Sequence, residues 1–139
     1  MRRVKSSLHR FIQISNRQRR LLLLGIVTLL ITRAALVVAG ASAARRAARV
    51  GVLGMGHHAV GHLSWAVGAA SRYVPGATCL TQALALEAML VRTGHRCRVE
   101  IGVAKDEGVL QAHAWVVSGH LIVLGGPDVG RYRSIGSLE

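Results

Sequence analysis

Two side chains in this sequence have the types and the local setting to do covalent chemistry together, a cysteine and a histidine. Cys79 stands in Pro75-Gly76-Ala77-Thr78-Cys79-Leu80-Thr81-Gln82-Ala83-Leu84. Pro-Gly marks a turn. Thr78 is a candidate helix N-cap, and Leu80, Leu84 and Leu86 begin an apolar helical pattern. Cys79 then falls in the first turn of a helix, where orphan N–H groups and the positive end of the macrodipole stabilise a thiolate. His113 lies in Gln111-Ala112-His113-Ala114-Trp115-Val116-Val117, which reads as a strand. A thiol at a helix start and an imidazole on a strand follow the logic of a cysteine acyl-transfer site. Spacing alone leaves a second reading open: a buried structural cysteine and an unrelated core histidine.

The other reactive residues point to less. Cys97 lies 18 residues after Cys79, a spacing unlike a zinc site, and two cysteines are too few for a secreted disulfide scaffold. His58 and His62 stand at i, i+4, but no Glu adjoins them and no third ligand is near. They read as a solvated or packed face, and no metal or other cofactor is expected.

The elements that must position Cys79 and His113 follow from periodicity. Residues 57–74 have the i, i+3, i+4 rhythm of a helix that stops at Pro75-Gly76. The Cys79 helix runs to about Thr93, with Gly94 as its stop. Residues 97–103 alternate as a half-buried strand, with Cys97 on the core side. Lys105-Asp106-Glu107-Gly108 is a turn, and 109–117 form a second strand with His113, Trp115 and Val117 on one face. Ser118-Gly119 reads as a two-residue hairpin loop, 120–124 as the third strand, and the remainder as a polar, loosely patterned tail. The fold class is therefore α+β: a helical N-terminal region, then a nucleophile helix packed on a short antiparallel sheet. Two regions are expected, a basic helical one over 1–74 and the Cys-His core over 75–139.

Charge and hydropathy are uneven. Residues 1–78 hold twelve of the 18 Lys and Arg and no Asp or Glu, so the whole net charge of +12 belongs to that half. Such asymmetry calls for an anionic partner. Nucleic acid is not expected, because the basic half has few aromatics and no recognition motif. Asn16 is a candidate cap for the helix that follows. Residues 21–44 are long and apolar enough to span a bilayer. Arg33 near their centre opposes that, at about 2.5–3.5 kcal/mol. The alternative is a helix packed in a small helical subdomain, with Arg33 snorkelling or paired, and peripheral membrane contact through the basic face is expected ahead of a span.

The blocks Thr78-Cys79-Leu80-Thr81-Gln82-Ala83-Leu84-Ala85-Leu86, Arg92-Thr93-Gly94-His95, Val99-Glu100-Ile101-Gly102-Val103 and Ala112-His113-Ala114-Trp115-Val116, in this order, resemble the transglutaminase-like leader peptidase of lasso-peptide biosynthesis in its stand-alone form. The resemblance runs from about Leu63 to Leu138 and implies a cytoplasmic cysteine peptidase of the transglutaminase-like, papain-like superfamily. It implies Cys79 as nucleophile and His113 as general base, with a precursor leader peptide as substrate. It also implies a separate small leader-recognition protein and the macrolactam-forming cyclase as partners. Gln82 is a candidate oxyanion donor and Trp115 a candidate pocket wall or shield for the imidazole, each with a packing role as the alternative. The superfamily orients its histidine with an Asp on the next strand. With a Ser118-Gly119 loop, Val117 faces His120, Trp115 faces Ile122 and His113 faces Leu124, so no carboxylate falls there. Asp128, 15 residues past His113, completes a triad if its loop folds back. The other arrangement is a Cys-His dyad with a backbone carbonyl orienting the ring. Acyl transfer would use the same residues. A non-catalytic or membrane-associated basic scaffold of a peptide-modifying complex is the alternative from another class.

Overall fold

The computed structural model describes residues 14–52 and 55–138, apart from the side chains of Gly51, Pro127 and Asp128. Helix α1 spans Asn16–Gly51, α2 Val60–Ala70 and α3 Cys79–Arg92. Four strands follow: β1 Arg98–Asp106, β2 Val109–Ser118, β3 Leu121–Leu124 and β4 Arg133–Leu138, with a 3-10 turn at Pro127–Arg131 between the last two. The sheet is antiparallel throughout, in the order β3-β2-β1-β4. The architecture is α+β, a helical layer on one face of this sheet.

Helix α1 is capped by Ser15, not Asn16. Ser15 Oγ accepts from Gln18 N–H and Gln18 Oε1 accepts from Ser15 N–H, a reciprocal capping box. The helix also runs past the apolar segment into 41–51. Gly40 (φ +85, ψ −177) leaves the helical region, so α1 is two helical segments joined at a kink there, and the Ala- and Arg-rich stretch beyond forms the second. On α3 the local signals act as written. Thr78 Oγ1 accepts from Thr81 N–H at 3.3 Å, and past the last turn His95 N–H reaches back to Leu90 O at 2.9 Å.

Helix α3 is buried nearly all round, as the central element of a small core must be. It carries Leu84, Leu86, Met89 and Leu90 against Leu21, Leu22 and Leu29 of α1, Leu63 and Val67 of α2, and Val99, Ala114 and Val116 of the sheet, in one continuous cluster. Glu87, mid-helix and buried, is held bidentately by Arg45 of α1, with Nε 2.9 Å from Oε2 and Nη2 on Oε1. Arg33, the only charge in the apolar part of α1, folds onto the turn before α3. A Cβ built on Gly76 would fall 1.6 Å from its Nη1, and Gly76 has φ +71, a conformation that favours glycine.

Three expectations for the sheet change. The hairpin loop is Gly119-His120, not Ser118-Gly119. Gly119 takes positive φ (+62), which suits the first of two loop positions. Ser118 pairs with Leu121 and Val117 with Ile122; a bulge then sets Val116 opposite Leu124, so Leu124 does not face His113. The tail is not loose: Arg133–Leu138 is an edge strand on β1, reached through the 3-10 turn. Both faces of β2 are covered at its C-terminal end. Ala114 and Val116 face the helices, while Trp115 and Val117 join Val129 and Tyr132 in a small second cluster.

Candidate active site

Where β3 stops, the edge of β2 is left open, and a cleft of about 240 Å³ forms between β2 and the start of α3. It is lined by Cys79 and Gln82 from α3, His113 and Ala114 from β2, and Leu124, Gly125 and Gly126 from the chain leaving β3. The structure thus brings Cys79 and His113 to one cavity across 34 residues of sequence. Both are half-buried. Cys79 is the first residue of α3, with no acidic residue in that turn to oppose an anion.

The imidazole is fixed from two sides. His113 Nε2 lies 2.8 Å from the carbonyl oxygen of Gly125. A carbonyl only accepts, so Nε2 carries the proton in the neutral ring and Nδ1 is the free basic nitrogen. Tyr132 sits with its ring centroid 4.9 Å from that of His113, and Trp115 with its centroid at 6.3 Å. The Gly125 carbonyl reaches His113 because of local backbone geometry. Gly125 has φ +136, and a Cβ there would lie 2.5 Å from Cβ of Trp115. Ser64 Oγ of α2 donates to the Val123 carbonyl, which ties β3 and the segment after it to the helical layer.

The remaining site expectations fall in different places. Gln82 lines the cleft, and its Nε2 donates to Ala77 O at 2.9 Å, so one amide proton is committed to the turn before α3. Trp115 is buried in the second cluster, outside the cleft wall, with its indole N–H donating to Glu100 Oε2 at 3.0 Å. Asp128 belongs to the 3-10 turn by its backbone, and its side chain lies outside the described residues. Gly125 and Tyr132 were not singled out in the sequence. A backbone carbonyl leaves no residue-type signature, and Tyr132 sits in a tail without visible pattern.

Cys97 differs from Cys79. Its half-buried thiol donates to Glu87 O at 3.9 Å, and burial, with Glu87 second, pushes its pKa up to about 11 despite Arg45. Cys97 is therefore a protonated core thiol at neutral pH. His58 precedes α2, so it does not share a helix with His62, and its carbonyl lies 2.9 Å from His95 Nε2. Among the described residues no group of three His, Cys, Asp or Glu could hold a metal ion.

A helix with a cysteine at its N-terminus packs on an antiparallel sheet, and a strand of that sheet brings a histidine to the same cleft. A family model described as the transglutaminase-like superfamily matches residues 19–137, nearly the whole chain. The chain belongs to the transglutaminase-like superfamily. Neither the curated proteins nor the solved structures gave a significant match.

Proposed function

We propose that this protein is a cysteine peptidase that removes the leader from a lasso-peptide precursor, with Cys79 as nucleophile and His113 as general base. The superfamily includes cysteine peptidases and transglutaminases. The observation that carries the reading is the shared cleft of Cys79 and His113, with His113 Nε2 held by the Gly125 carbonyl. Nδ1 takes the proton from the Cys79 thiol, and the sulfur attacks the scissile carbonyl. Backbone N–H groups at the start of α3 stabilise the oxyanion. The imidazolium then protonates the departing amine, and water, deprotonated by His113, hydrolyses the thioester. In this reading the Gly125 carbonyl orients the ring, so a dyad suffices and Asp128 is not needed for tautomer selection. Gln82, at the cleft wall with one amide proton uncommitted, contributes to binding the acyl group.

The substrate and partners come from the resemblance in the Cys79 and His113 blocks. The precursor leader is presented by a small leader-recognition protein, and the macrolactam-forming cyclase takes the product, in the cytoplasm. The test is precursor cleavage followed by mass spectrometry, with purified protein and the leader-recognition protein. Cys79→Ala should abolish cleavage with the melting temperature kept. Cleavage by that variant would refute the nucleophile, and an inactive wild-type chain that still binds the precursor complex would favour the scaffold reading.

A further inference from the structure

The outward side of α1 has no role in the cleft. Leu23, Val27, Leu30, Ala34, Val37 and Val38 are all exposed. At about 100° per residue they fall within roughly 100° of one another, a single stripe on the helix. At the Gly40 bend the helix stands clear of the body. Six consecutive residues, 37–42, are exposed, Val37 by 75% and Val38 by 85%. A Cβ built on Gly40 would meet nothing within 4 Å.

No charge interrupts this surface. The partly buried Arg33 carries its guanidinium off to Gly76 in the turn before α3, and the hydroxyls of Thr28 and Thr32 bond to carbonyls of their own helix at 2.8 and 2.6 Å. From Leu23 to Ala41 the exposed side chains offer no hydrogen-bond donor or acceptor. Exposed cations stand at both ends: Arg17 and Arg20 before the stripe, Arg46 and Arg49 after the bend. The first acidic residue of the chain is Glu87.

We propose that this stripe and the bend dock the protein on an anionic lipid surface, with α1 lying in the plane of the interface. Protein interfaces carry about one hydrogen bond per 100–200 Å², and from Leu23 to Ala41 no exposed side chain can make one; Ser42 at the far side of the bend is the first exposed hydroxyl. Hydrocarbon requires none, and arginines flanking an apolar stripe match lipid phosphates. The helix is long and apolar enough to cross a bilayer, with mean hydropathy 2.5 in its most apolar window. Its other side is built into the core through Leu21, Leu22 and Leu29, with Gly25 against Ala66 of α2, contacts that a lipid-spanning helix would give up and an in-plane helix keeps.

The assay is co-sedimentation of the full chain with phosphatidylcholine vesicles, with and without phosphatidylglycerol. The wild-type chain should bind the anionic vesicles, less so at high salt. Val37→Asp/Val38→Asp should cut binding by about tenfold or more. Its melting temperature should hold, because both side chains are highly exposed. Leu23→Gln/Val27→Gln tests the same stripe should the first pair disturb folding. Arg46→Gln/Arg49→Gln should reduce the advantage of anionic over neutral vesicles. No binding by the wild-type chain, equal binding to neutral vesicles, or full binding by both apolar variants would overturn the proposal. So would lipid-free self-association abolished by Val37→Asp/Val38→Asp, which would give the face to a second copy. Vesicle binding does not depend on Cys79, so this proposal and the peptidase reading fail separately.

Discussion

Gly125→Ala tests whether a backbone carbonyl orients the His113 imidazole in the proposed mechanism. At φ +136 an alanine is strained by roughly 1–3 kcal/mol. Its Cβ would also lie 2.5 Å from Trp115 Cβ and 3.0 Å from Val129 Cγ2, where carbon atoms settle near 3.5–4.0 Å. Trp115 is pinned by its bond to Glu100, so the Gly125 segment is the part that must yield, by about 1 Å. A shift of that size takes the 2.8 Å contact to His113 Nε2 beyond hydrogen-bond range. The ring then loses its preferred tautomer and its aim, and a misplacement of this size costs on the order of 10²-fold in rate. Gly119→Ala is the control: φ +62, nothing within 4 Å of its Cβ, and a position in the far hairpin loop. Both variants should melt below wild type, and only Gly125→Ala should lose about 10²-fold in kcat/KM for precursor cleavage. A folded Gly125→Ala protein with wild-type kcat/KM would refute the role of this carbonyl.

Other expectations follow from neighbouring contacts. Asp128→Asn should lower kcat/KM by no more than about tenfold if Gly125 orients the ring; a loss approaching 10⁴-fold, as when a serine-protease triad loses its carboxylate, would restore Asp128 as the orienting group. Glu87→Leu leaves the Arg45 guanidinium without its carboxylate and should cost about 3 kcal/mol, a fall of roughly 10 °C in Tm; Arg45→Met/Glu87→Leu should recover part of it. Cys97 titrates at about 11 when folded against an ordinary 9.0, so folding favours the neutral thiol. The stability this contributes is complete below about pH 9 and lost as pH rises towards 11. Cys97→Ala should flatten that alkaline decline in denaturant titrations and leave precursor cleavage intact.

The bounds of α3 were legible because every signal for them is local. Pro75-Gly76 turns the chain, Thr78 caps it, Leu spacing gives the buried side and Gly94 ends it, all within one stretch. The alternation of β1 and β2 was legible for the same reason, and so was the α+β order. Cys79 and His113 could be named as a pair from the words around them. The sequence does not hold the distance between them, which depends on α3 packing against β2.

What only the tertiary structure decided rests on partners far apart in the chain. The tail becomes β4 because β1 offers it an edge, although its own residues show little strand pattern. The hairpin loop moved by one position and a bulge followed, so the residue facing His113 could not be counted off from the turn. Glu87 can sit buried in the middle of α3 because Arg45, 42 residues earlier, is set beside it. The group that holds His113 is a main-chain oxygen. Every residue has one, so no sequence pattern can mark it; only the path of the chain through Gly125 brings that oxygen to the ring.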